Sequence, residues 1–102
     1  MSAADSYPRL RLLMAGYLHE DWHEESGSPE EAVRLFATRE GPGVAREAAE
    51  EVDDALASLS GRGEAAASAL LRDLGGAYDA EADGWTATEW LARVRALLRG
   101  QG

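Results

Sequence analysis

Five residues of this 102-residue chain spell out a hydrolytic string, His19-Glu20-Asp21-Trp22-His23. On a helix, histidines four apart share a face and can hold zinc, and the glutamate between them can polarise a bound water. Peptide hydrolysis needs more: a third ligand, a cleft for the substrate and a group that stabilises the oxyanion. The chain has two histidines, so a third ligand would have to be a carboxylate such as Glu40, Glu47 or Glu50. The string is flanked by acids, abuts Ser26-Gly27 and sits in a chain too small for a roomy cleft. His19 therefore reads as a packed or capping histidine and His23 as a surface residue. The match between His19, Glu20, His23 and the zinc motif reads as coincidental.

Other catalytic arrangements are missing. With no cysteine there is neither a thiolate nucleophile nor a thiolate zinc site. No serine or threonine occupies a nucleophile-elbow setting. The glycines fall at helix ends instead of clustering in a phosphate-cradling loop. Asp79, Glu81 and Asp83-Gly84 echo a calcium loop, but Trp90 stands where the bidentate glutamate would have to be. The expectation is a non-enzyme without metal or cofactor.

Acid is what the chain has in quantity. Nineteen acids face ten bases, all of them arginine, for a net charge of -9. That excess argues against binding nucleic acid or an anionic membrane, and favours a basic partner drawn in by the long-range field. Eleven of the nineteen acids fall in two stretches: Glu20, Asp21, Glu24, Glu25, Glu30 and Glu31 in 20–31, and Glu47, Glu50, Glu51, Asp53 and Asp54 in 47–54. A lone charge run is ordinarily a solvated face. The first run, however, interleaves with Tyr17 and Trp22, as an aromatic anchor with a steering rim would. Tyr17, in register with Leu10, Leu13 and Met14, reads as core, and Trp22 fits either role.

The elements that must position these residues read as helices broken by glycine and proline. A first helix is expected from Pro8 to about Leu18. A second follows the Ser28 cap, with Pro29 first, Glu31 closing a capping box and Gly41-Pro42-Gly43 stopping it. Val33, Phe36 and Ala37 form its inner face. A third runs from about Val44 to Leu59 on Ala45, Ala48, Val52, Ala55, Leu56 and Leu59, with its acids outward. A fourth, from about 64 to 74, turns Ala67, Leu70, Leu71 and Leu74 inward and ends at Gly75-Gly76. A fifth starts at Thr86, boxed with Glu89, on Trp90, Leu91, Val94, Leu97 and Leu98. Trp85 and Trp90 read as core. The expected architecture is all-α: one compact domain over 1–102, a bundle of about five short helices with frayed ends at 1–6 and 100–102. Residues 1–7 carry neither a basic residue nor an apolar run, so no secretory signal is expected, and no segment is apolar enough to span a membrane. A cytoplasmic monomer or weak dimer is expected.

Several motifs together resemble the immunity proteins of contact-dependent growth inhibition systems. They are Tyr7-Pro8, Leu12-Leu13, the run from Gly16 through Tyr17, Leu18, His19, Glu20 and Asp21 to Trp22, and Gly27-Ser28-Pro29-Glu30-Glu31-Ala32. The tail is similar too, with Leu70 to Tyr78 around a glycine turn and then Glu89-Trp90-Leu91. The resemblance implies an all-helical, non-enzymatic protein that binds and neutralises the C-terminal toxin domain of a partner. Tyr17, His19, Asp21 and Trp22 match the family's motif, and serve either fold or binding. His23 departs from it, standing where a carboxylate is expected. Many such toxins are nucleases with basic surfaces, which an acidic protein can occupy. On that reading the candidate toxin contacts are Glu20, Asp21, Trp22, Glu24, Glu25, Glu47, Glu50, Glu51 and Asp54. The readings weighed against it are an acidic adaptor or nucleic-acid mimic outside toxin systems and, less favoured, a small zinc peptidase.

Overall fold

The computed structural model describes residues 6–18, 27–75 and 81–100. They form five α-helices, α1 (Pro8–Gly16), α2 (Pro29–Glu40), α3 (Pro42–Leu59), α4 (Glu64–Asp73) and α5 (Ala87–Leu98), with one 3₁₀ turn at Glu81–Asp83. No strand occurs among the described residues, so the fold is all-α as expected.

α3 is the hub. It packs against α1, α2 and α5, and α5 packs in addition against α2 and α4. The inner face of α3 is built from small residues, with Ala45, Ala48, Ala49, Val52 and Ala55 all buried. Small side chains bring neighbouring backbones close, and the larger residues of those neighbours fill the space: Leu10, Leu13 and Met14 from α1, Val33 and Phe36 from α2, and Trp90, Leu91 and Val94 from α5. Full burial of each such side chain contributes roughly 1.5–3 kcal/mol. The core stripe expected of α5 is buried throughout; of that expected of α1, Leu10, Leu13 and Met14 are buried, Leu18 is buried just past the helix end, and Tyr17, read as core, is only half-buried.

Both predicted start signals operate. Ser28 Oγ accepts the Glu31 N–H at 3.1 Å, and Thr86 Oγ1 accepts the Glu89 N–H at 3.1 Å while Glu89 returns to the Thr86 N–H at 2.9 Å. Glu31 departs from the reciprocal pattern: its carboxylate accepts from the Gly27 N–H, one residue before the cap, at 3.2 Å.

Three boundaries differ from the sequence reading. α1 ends at Gly16, before Tyr17 and Leu18, because the Tyr17 and Leu18 N–H groups both converge on the Leu13 carbonyl in a widened last turn. α3 begins at Pro42 instead of Val44. The expected three-residue break is a single residue, Gly41, at φ +93°, and Pro42 takes the first helical position, where it needs no N–H donor. α4 ends at Asp73 and is the least buried helix: Ala67 is buried and Leu74 is buried just beyond it, but Leu70 and Leu71 are only half-buried. Trp85 likewise is half-buried, tilted against buried Trp90 with ring centroids 6.0 Å apart.

Candidate functional site

The acids of α3 sort into three groups by position around the helix. Those flanking the buried stripe on one side meet α1. That helix begins at Pro8 after Tyr7, which makes no side-chain cap, so its first N–H groups need an acceptor from elsewhere. Glu51 supplies it: Oε1 accepts the N–H of Leu10 at 2.9 Å and of Arg9 at 3.0 Å. Glu47, one turn earlier, pairs with the Arg9 guanidinium. On the other flank, half-buried Asp53 pairs with both Arg95 and Arg99 of α5. Only Glu50 and Asp54, four residues apart, stand fully exposed without a partner among the described residues.

Sequence reasoning placed all five carboxylates on a solvent face. The structure holds Glu47, Glu51 and Asp53 in contacts between helices, because the alanine-lined packing brings α1 and α5 within reach of their side chains. Partial burial of Glu51 pushes its carboxyl up from the usual range, against the opposing pull of the Leu10 and Arg9 N–H donors.

Tyr17 lies just past the end of α1. Its ring meets Phe36 edge-on, with centroids 5.3 Å apart and planes at 90°, and its hydroxyl donates to Glu40 Oε2 at 2.8 Å. Burial and the Glu40 carboxylate both raise its pKa. Tyr17 is thus a half-buried bridge between the core and the surface, joining the end of α1 to both the middle and the end of α2. His19, Glu20, Asp21, Trp22, His23, Glu24 and Glu25 lie outside the described residues. Among the described residues no three His, Cys, Asp or Glu side chains come together as a metal site.

A second surface was not foreseen from sequence. Glu64, the first residue of α4, accepts both the backbone N–H of Thr88, at 3.3 Å, and its hydroxyl, and so caps α5 from a neighbouring helix. Hollows open on either side of this bridge, one beside Trp85 and the other beside Leu56 and Leu59. Trp85, read as core beside Trp90, hid the opening of the first hollow. The glycines at 61 and 63, which put no side chain on either side of Arg62 in the turn before α4, were the available signal.

Residues 6–98 match the family model described as CdiI immunity protein. The chain belongs to the CdiI immunity protein family. No curated protein and no solved structure matches it. As a CdiI family member it is a toxin-neutralising immunity protein whose partner is a cognate toxin protein, and proteins of this family are generally non-enzymatic. The match spans both the described helices and the 19–26 segment between them. None of the described helices is long and apolar enough to cross a membrane.

Proposed function

We propose that this CdiI family member neutralises the C-terminal domain of its toxin by stoichiometric binding in the cytoplasm, and that the toxin is a nuclease with a basic surface. The observation that carries the reading is charge: a net of -9, with Glu50 and Asp54 exposed on α3 and unpaired among the described residues, and a further acidic run, Glu20, Asp21, Glu24 and Glu25, in the sequence that follows α1. Such a surface competes with phosphate for a cationic cleft and steers the encounter. Trp22 is the aromatic anchor of the acidic run. Glu47 and Glu51, although on the same helix, support the binding face by fixing α1.

The test is co-expression with the C-terminal domain of the toxin encoded beside this chain. Cells carrying both are expected to survive with intact nucleic acid, and the purified proteins to form a one-to-one complex. Death at the same rate with and without this chain would defeat the reading, and a toxin domain that leaves nucleic acid intact would remove the nuclease assignment.

A further inference from the structure

The surface is indented around the start of α4. Two hollows open there, of about 410 Å³ and 550 Å³. Ala65, Ala87 and half-buried Trp85 wall the first; Leu56, Leu59 and the glycines of the preceding turn wall the second. Glu64 lines both and stands between them. Thr88 holds its carboxylate in place through two donors, and no base among the described residues neutralises it. Arg62, in the same turn, lines a different hollow, on the side of α4 that faces Tyr7.

A fixed anionic group beside two depressions of mixed polar and apolar lining, with an indole at the edge of one and Leu56 in the wall of the other, fits one kind of occupant. A long cationic side chain can lay its methylenes along Trp85 and Ala65, set its head group on the carboxylate and approach the indole face. Half-exposed tryptophan is also the residue type most often found at the energetic centre of an interface.

We infer that this groove between α4 and the start of α5 anchors the toxin by receiving one of its arginine or lysine side chains between Trp85 and Glu64. The inference rests on the toxin-binding reading above and adds the place where the complex is held. Exposed acids elsewhere govern the rate of encounter, whereas a desolvated anchor governs how long the complex lasts.

Surface plasmon resonance against the immobilised C-terminal domain of the neighbouring toxin separates these roles. Ala65 is exposed, so Ala65→Trp fills the first hollow without entering the core. Glu64→Gln keeps an acceptor for Thr88 and removes the charge. Both variants are expected to keep the wild-type circular dichroism and to dissociate about tenfold faster or more. The association rate of Ala65→Trp is expected to keep its wild-type value and salt dependence. If Ala65→Trp dissociates at the wild-type rate, the groove is not the anchor, while the toxin-binding reading stands. Faster dissociation confined to Asp54→Arg moves the anchor to α3 and overturns the inference in the same way. A wild-type protein that does not bind the toxin domain overturns both readings.

Discussion

A carboxylate on α3 closes the start of α1 because the residue before that helix cannot. Two terms oppose each other at Glu51. Its two N–H donors favour the charged carboxylate, while burial disfavours it, and the balance leaves its pKa raised above the ordinary glutamate value of 4.5. A raised carboxyl binds its proton more tightly in the folded state, so its stabilising contribution is complete below pH 4.5 and is lost as pH rises through the folded pKa. Glu51→Ala removes the acceptor and is expected to destabilise the protein by about 1 kcal/mol at neutral pH, the ordinary value of a lost helix cap. Glu51→Gln retains an amide oxygen and sheds the charge. It is expected to cost less, and to lose less stability than wild type as pH rises above 4.5. Urea unfolding followed by circular dichroism checks both. A glutamine variant as unstable as the alanine one would show that charge, and not the acceptor, holds α1.

At the scale of elements, the joint between α2 and α3 is one residue long. Gly41 sits at φ +93° and ψ 164°, and a Cβ built there meets nothing within 4 Å. Any penalty for a side chain at this point is therefore backbone strain alone. Gly41→Ala is expected to destabilise by about 1–3 kcal/mol, the cost of a non-glycine residue in that region, with helicity retained once folded. Thermal unfolding would measure it, and a melting temperature equal to wild type would contradict the assignment. The same joint marks what was legible in the sequence. Gly41-Pro42-Gly43 announced a break, and Ser28 and Thr86 announced their helices, because caps and breakers act within a few residues. The length of the break was not legible, since proline both stops one helix and suits the first turn of the next. Nor was the half-burial of Leu70, Leu71 and Trp85. An apolar stripe shows that a face seeks cover, but the amount of cover depends on which helices arrive, and α4 packs chiefly against α5 alone. The partners of Glu47, Glu51 and Asp53 were hidden for the same reason, because they lie on helices distant in sequence.

For the whole molecule, charge remains the dominant property. The internal pairs engage two acids, Glu47 and Asp53, with three bases, Arg9, Arg95 and Arg99, and leave the net of -9 unchanged as the field a partner meets. Association with a basic toxin domain is expected to slow steeply with salt, since the screening length contracts from about 30 Å at 0.01 M to about 3 Å at 1 M. Glu50→Arg with Asp54→Arg is expected to lower the association rate and flatten that salt dependence, leaving dissociation near its wild-type value. Stopped-flow mixing over a salt series checks this, and an association rate independent of salt would count against steering by charge.

The division of α3 around its circumference has an evolutionary consequence. Glu47, Glu51 and Asp53 are tied to neighbouring helices, so replacing any of them disturbs the fold. Among the described residues Glu50 and Asp54 make no hydrogen bond or ion pair with neighbouring helices, and can be exchanged, reversed in sign or neutralised without breaking one there. A lineage pressed to follow a diverging antagonist can therefore redraw that strip of surface while the scaffold beneath it stays fixed.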